Sequence, residues 1–344
     1  MEKRTAIILV TYNGWALTEA CLKDLEPLFT PDSAAGENGW GNFVVAIADN
    51  GSTDGTIENI RKNYPANKYR NLRVYPQEKN LGFGAANNAA IRGLAADGME
   101  FDAICLLNND TRLEASAIAQ LRRDLDRTTE QGCSAVIVPT TVNADGSRQN
   151  NFFAGLGPDG IGSLRFFLNA FRGERGAARI LEGTPKPAFI TNLSDGHTAG
   201  KNIPDFLETH WASAVCWMLS RKLWEAAGGF DEKLFMYYED ADLALRLRKL
   251  GGRFFISQES IITHLGGGSA KNKLNRALQH DRSQQYVFRK HFGIRGLLLS
   301  KAFRFTRSLV RFLTALPCSF IGKKAREKRE YLRHHFALLM EALS

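Results

Sequence analysis

The stretch Thr5–Gly14, TAIILVTYNG, decides the fold. Its apolar run Ala6–Val10 is short, rich in branched residues and halted by a polar tetrad, the pattern of a strand buried on both faces of a parallel sheet. The run is too brief for the apolar segment of a signal peptide, so it reads as a first strand. Similar runs recur at Phe43–Ala48, Leu72–Tyr75, Ala103–Leu107 and Ala135–Val138, separated by helix-length segments at Trp15–Leu28, Thr56–Asn63, Ala85–Ala96 and Glu114–Arg127. Strand and helix alternating at this spacing predict a mostly parallel, Rossmann-like α/β sheet with helices on both faces. No stretch of about 18 uncharged apolar residues is present to cross a bilayer as a helix.

In such a sheet ligands bind beyond the carboxyl ends of the strands. The residues there are Thr11-Tyr12-Asn13-Gly14, Asp49-Asn50-Gly51-Ser52-Thr53-Asp54-Gly55 and Asn108-Asn109-Asp110, three polar segments, two of them acidic. From Asn143 to Asp205 the regularity is lost in a span dense in Gly and Pro, which predicts a functional loop or lid. Order returns at Trp211–Ser220, followed by a helix from Arg221, another from Glu239 to Leu250, and short strands near Phe254 and Ile261.

With 44% apolar and 24% charged residues, a chain of 344 residues has the material for a buried core and is not a disordered polymer. Five cysteines without a C-x-x-C spacing predict free thiols in a reducing compartment, with neither disulfides nor structural zinc. The net charge of +9 is concentrated: residues 286–344 hold 13 Lys and Arg against 3 acids, which leaves the remainder close to neutral. The body of the chain therefore lacks the basic surface of a nucleic-acid-binding protein.

TAIILVTYNG, ADNGSTDGT (48–56), NLGFGAANNAAI (80–91), LLNND (106–110), GGFDEKLFMYYEDADLALRLRKLGG (228–252) and THLGGGS (263–269) follow one another as in a family 2 glycosyltransferase of the GT-A fold. The chain resembles that family over residues 5–270, and within it the bacterial rhamnosyltransferase-type enzymes most. The resemblance implies a GT-A nucleotide-diphospho-sugar transferase domain over 1–270, with a nucleotide-sugar half (1–112) and an acceptor half (113–270) that carries the irregular span. A basic helical extension, 271–344, follows. The implied reaction is inverting transfer of a sugar, L-rhamnose from dTDP-rhamnose first of all, to a saccharide or lipid-linked saccharide in cell-surface glycan synthesis, with Mg²⁺ or Mn²⁺ as cofactor. A UDP-sugar donor carrying galactofuranose or glucose, a catalytically inactive sugar-nucleotide-binding scaffold, and homo-oligomerisation stay open.

Carboxylate oxygen suits the hard cation that a departing diphosphate calls for. Asp110 matches the last acid of the family's metal motif, with Asn108 and Asn109 where acids usually stand, and His264 occupies the place of a further ligand. Taken alone, Asp110 equally reads as the cap of a helix over Leu113–Leu125, and His264 as a buried, hydrogen-bonded histidine. By resemblance Asp240 is the base and Glu239 positions the acceptor, both at the exposed start of a helix. Asp242 reads only as a first-turn acid complementing the helix dipole, and Arg246 and Arg248 as surface charges.

Asp49 matches the residue that hydrogen-bonds the nucleobase, and Thr11, Tyr12 and Asn13 cradle base and ribose. Asn80, Gly82 and Asn109 complete the nucleotide side, although Asn80–Gly84 lacks a full G-x-G-x-x-G and any Walker pattern, which argues against dehydrogenases and P-loop enzymes. Asp54-Gly55 reads as the cap of the next helix. Trp211 belongs to an acceptor-side segment and either stacks on a sugar or fills the core, and Ala214 stands where the family usually has Gly.

In the tail, Lys301, Arg304, Arg307 and Arg311 recur at helical spacing among Leu298, Ala302, Phe305, Leu309, Phe312, Leu313 and Leu316. This predicts a helix lying on an anionic membrane surface, each cation contributing about 1 kcal/mol, with a second cluster at Lys323–Arg329. Packing on the catalytic domain or a dimer contact is the alternative. The expected location is cytoplasmic, peripheral on the inner face of the cell membrane.

Overall fold

Apolar runs and amphipathic segments fold in alternation: β1 (Arg4–Thr11), α1 (Trp15–Phe29), β2 (Asn42–Asp49), α2 (Thr56–Asn63), β3 (Leu72–Pro76), α3 (Phe83–Ala96) and β4 (Ala103–Asn108). Then come β5 (Thr111–Leu113), α4 (Ala115–Glu130), β6 (Ala135–Val142), β7 (Phe152–Phe153), β8 (Leu207–Thr209), β9 (Trp211–Ala212) and β10 (Cys216–Ser220). The chain continues through α5 (Arg221–Ala227), α6 (Glu239–Lys249), β11 (Arg253–His264) and α7 (Lys273–Ala315). The structure, a computed structural model, describes residues 3–30, 42–149, 151–153, 206–266 and 273–315, with 332–333, 336–337 and 340–341. Most of the irregular span after Asn143, Cys318 and the cluster Lys323–Arg329 lie outside the described residues.

The main sheet runs in the order β3-β2-β1-β4-β10-β6-β11-β5, with β8 also paired to β11. β1, β2, β3 and β4 are mutually parallel, as are β6 and β11, whereas β10 is antiparallel to both neighbours. Along β1 the side chains alternate between two cores: Ile7 and Leu9 pack beneath α1 and α4, and Ala6 and Ile8 face α3. α1 buries Thr18, Cys21, Leu22, Leu25, Leu28 and Phe29, one stripe at helical spacing. The four cysteines among the described residues are free. The two short strands expected near Phe254 and Ile261 are a single strand, β11, whose register slips between Ser257 and Ile261 so that it can pair with β6 throughout.

The described residues form two compact units. The first holds those up to 153 with 206–235 and 239–266, and the second holds 236–238 and those from 273 onward. In the second unit the backbone of α7 leaves helical geometry at Gly293. Beyond it, Ser300, Arg304 and Ser308 form a buried polar row, while Ile294, Leu298, Val310 and Leu313 are exposed. The lipid-facing row of cations needs correction at Arg304: its guanidinium is turned inward, paired with Asp281 and donating from Nε to Gln284 Oε1 at 2.7 Å. Burying a guanidinium is tolerated only with such partners. The side chains of Arg307 and Arg311 lie outside the described set, and no described helix is long and apolar enough to cross a membrane.

Trp217 is the largest fully buried side chain, edge-on to Phe254 at 5.1 Å with its indole N–H donated to Ser213 O. Trp217→Ala should therefore lower stability by about 3–5 kcal/mol in urea unfolding.

Candidate active site

The parallel register sets Thr11 beside Asp49 and Val10 beside Asn108, so the three polar segments meet at the carboxyl edge of the sheet. Asn13, in left-handed conformation (φ 48°), ties two of them together: its N–H donates to Ser52 Oγ (2.9 Å) and its Oδ1 accepts from Thr53 N–H (2.7 Å). The Thr11 hydroxyl is buried against that of Thr18 (2.8 Å), to which Asn109 Nδ2 also donates (3.0 Å). Thr11 and Asn109 thus stitch β1 and β4 to α1, while Tyr12 remains exposed. Asp54 Oδ1 accepts from Thr56 N–H at the start of α2, an Asx-type cap.

Asp49 is 1% exposed. Its Oδ1 accepts from Ser52 N–H at 2.9 Å, whereas Oδ2 is buried and accepts nothing from the described residues. Beside it, Asn50 fastens the 80–82 turn, giving Nδ2–H to Asn80 Oδ1 (2.9 Å) and accepting from Leu81 N–H (2.8 Å). Asn80 Oδ1 also accepts from Gly82 N–H, so its amide shapes this turn. Gly82 has φ +88°, and a Cβ there would lie 2.1 Å from the carbonyl oxygen of Phe235. The glycine thus allows the turn to press on the backbone that leads to Glu239, where Phe235 O accepts from Phe83 N–H at 3.1 Å.

Asp110 does not cap a helix: β5 follows it, and Glu114 takes the N-cap of α4. Its carbonyl accepts from Leu265 N–H, and its Oδ1 lies 3.3 Å from His264 Nε2. Gln149 Oε1 is 2.9 Å from His264 Nδ1, an acceptor for a proton on that nitrogen, and Nε2 is the ring nitrogen that faces Asp110. The carboxylate and the imidazole are close enough for one small cation to touch both. No group of three His, Cys, Asp or Glu gathers to hold a metal among the described residues, so oxygen donors from elsewhere would have to complete the shell.

β4 and β10 bring the second pair of acids to the same edge. Asn108 N–H donates to Val215 O (2.9 Å), and the preceding residue, Ala214, donates its N–H to Asp240 Oδ2 (3.3 Å). Asp240 Oδ1 accepts from Ala241 N–H at 2.7 Å. The expectation of two exposed acids needs correction at Glu239, which is buried. Burial, and then the charge of Asp240, push its carboxyl up to about 8, and Glu239 Oε2 has no hydrogen-bond partner among the described residues. Asp242 is more than a dipole complement, being fully buried and paired with Arg246 at 2.7 Å. Arg246 in turn donates to Gly229 O (2.6 Å) and to Ala227 O, and Arg248 to His210 O (3.1 Å), so neither arginine is a free surface charge. Trp211 in β9 is half-buried against the core, paired through its backbone with Phe153.

Residues 6–224 match the family model described as Glycosyl transferase family 2. This chain is a family 2 glycosyltransferase. The glycosyltransferase is 28% identical over 296 residues to the N-acetylglucosaminyl-diphospho-decaprenol L-rhamnosyltransferase of Mycobacterium tuberculosis, covering 78% of this chain and 84% of the relative. Among solved structures it is similar to the mannosyltransferase PcManGT from Pyrobaculum calidifontis in complex with GDP-Man and Mn²⁺, at TM-score 0.51 and 13% identity over 100% of this chain and 86% of that one. S. aureus TarS aligns at TM-score 0.50 and 13% identity over 98% of this chain and 50% of its own. These likenesses are of fold, and the glycosyltransferase has the GT-A architecture.

Glu239 gives a pH signature. Its carboxyl ionises near 4.5 when unfolded but only at about 8 when folded, so the stability it confers as a neutral group is complete below pH 4.5 and is lost as pH rises toward 8. Glu239→Gln, neutral at every pH, should gain stability over the wild type progressively through that interval and level off above it, as read by urea unfolding across the range.

Proposed function

We propose that this glycosyltransferase moves L-rhamnose from dTDP-rhamnose onto a lipid-linked saccharide with inversion, Asp240 serving as base. The observation that carries the reading is the split pair at the start of α6. Glu239 is held neutral by burial, and Asp240 beside it is oriented by the N–H groups of Ala214 and Ala241. A carboxyl kept neutral beside one set among backbone donors allows acid and base roles to be divided between them. As the acceptor oxygen attacks the anomeric carbon from the face opposite the diphosphate, Asp240 takes its proton, and neutral Glu239 donates a hydrogen bond to the acceptor.

On the donor side, Asp49 Oδ2 offers a buried acceptor for the imide N–H of a pyrimidine base, and Tyr12 an exposed ring for stacking. Thymine and uracil present the same imide, so a UDP-sugar donor is the second reading. Asp110 and His264 would hold Mg²⁺ or Mn²⁺, which when bound neutralises charge on the departing nucleoside diphosphate. Gln149, beside Nδ1, would orient the imidazole so that Nε2 is the nitrogen offered to the cation. The rhamnosyl donor and the lipid-linked acceptor are drawn from the M. tuberculosis relative, matched along most of its length.

Asp240→Asn should lower turnover by about 100-fold or more while calorimetric nucleotide affinity is unchanged, and activity that persists would remove Asp240 as base. In the same calorimeter, with Mn²⁺ present, dTDP should bind more tightly than UDP, and the reverse order would overturn the donor.

The reading places the enzyme on the cytoplasmic face of the cell membrane, held by the exposed apolar row Ile294, Leu298, Val310 and Leu313 together with the basic tail. Leu298→Glu with Leu313→Glu should abolish co-flotation with anionic liposomes, and undiminished flotation would reject this contact.

A further inference from the structure

A buried polar atom without a partner marks a place where a ligand or a water has to supply one, because an unmet hydrogen bond inside a protein is costly. Asp49 Oδ2 and Glu239 Oε2 are such atoms and have roles in the proposed transfer, whereas Asn151 Oδ1 has none. Asn151 is 5% exposed, and its Oδ1 accepts nothing from the described residues. The other end of the amide is engaged, Nδ2 donating at 3.1 Å to the hydroxyl of the fully buried Thr141. Turning the amide over would pair its oxygen with that hydroxyl and strand the nitrogen instead.

Everything that places Asn151 lies in the first unit. Its carbonyl accepts from Ser213 N–H at 2.9 Å, and the residue after Ser213, Ala214, is the one that donates to Asp240 Oδ2. Ser213 O in turn accepts from the Trp217 indole N–H (3.1 Å) and from Val215 N–H (2.8 Å), so the turn beneath Asp240 is fixed on both sides. Two residues before Asn151, Gln149 reaches His264, and two residues after it, Phe153 pairs with Trp211. Asn151 thus stands where the chain passes from Asp110 and His264 to Asp240. An acceptor sugar has to occupy that interval, since its hydroxyl meets the base while facing the anomeric carbon from which the diphosphate departs.

We propose that Asn151 binds the acceptor and sets its specificity, Oδ1 taking a hydrogen bond from an O–H or amide N–H of the acceptor sugar. This rests on Asp240 being the base. A neutral amide suits the place: a carboxylate there would compete with Asp240 for the proton and with Asp110 for the cation, whereas an amide carbonyl accepts a hydrogen bond without adding charge. Thr141 holds the amide in one direction, so a sugar that presents no donor at that point leaves the oxygen unpaired and is rejected.

Initial rates on the full chain, with dTDP-rhamnose and Mn²⁺, provide the test. The acceptor probe is N-acetylglucosaminyl-diphospho-decaprenol, from the name of the M. tuberculosis relative, beside analogues that each lack the amide N–H or one hydroxyl other than the nucleophile. With the wild type, one analogue should lose about 10- to 100-fold in kcat/KM. Asn151→Leu should lose as much on the intact probe, through acceptor KM, with donor KM and the calorimetric affinities for dTDP and Mn²⁺ unchanged. The variant should no longer distinguish the intact probe from that one analogue, while its response to the others stays that of the wild type. If Asn151→Leu fails to fold, Asn151→Ser takes its place, and a wild type indifferent to every analogue overturns the proposal without any variant. An unimpaired variant, a loss confined to donor KM or Mn²⁺ affinity, or the same loss with every analogue would also overturn it, leaving an ordered water as the partner of Oδ1. If Asp240→Asn is inactive while Asn151→Leu is unimpaired, the base stands and the acceptor contact alone falls. Activity in Asp240→Asn, or no transfer to the probe by the wild type, brings down both.

Discussion

One antiparallel strand, β10, is the constraint on which the site depends. Because β10 runs against β4, its first residues lie beside the last residues of β4, Cys216 opposite Leu107. A parallel strand in that place would begin at the far end of the sheet. The reversal puts Ala214 and Val215 next to Asn108, and through Ala214 it brings the Asp240 carboxylate to the edge that carries Asp49 and Asp110. Residues far apart in the chain thereby share one rim without a long connection having to deliver them.

Charge at that rim is managed by burial as much as by pairing. Three acids, Glu239, Asp240 and Asp242, meet three fates within a single turn of α6. Asp242 is neutralised by Arg246, which also satisfies carbonyls at the end of α5. Glu239 keeps its proton because it is desolvated, and Asp240 is left half-exposed with backbone donors around it. The buried pair anchors the helix, since removing either member would strand a charge in the core.

The strands and helices of the nucleotide side were legible because each is a local pattern: an apolar run of β-formers, or a stripe at helical spacing. The polar segments after β1, β2 and β4 followed from topology alone. Harder to read were features decided by distant partners. β5 is three residues long and has no pattern of its own, being a strand only because it pairs with the end of β11. Arg304 sits at the spacing of a surface cation, and only the presence of Asp281 and Gln284 turns it inward. Gln149 and Asn50, which hold His264 and the 80–82 turn, are single amides in loops, and nothing in their neighbourhoods announces the atoms they serve.

The contact between Gly82 and the carbonyl of Phe235 joins two loops through main-chain atoms only. Side chains elsewhere can be exchanged in compensating pairs, one growing as another shrinks, but a junction made of a hydrogen atom and a carbonyl oxygen has no such partner to trade with. Variation across descendants of this chain is thus expected to flow around that point, retuning what the enzyme recognises while the two loops stay locked together.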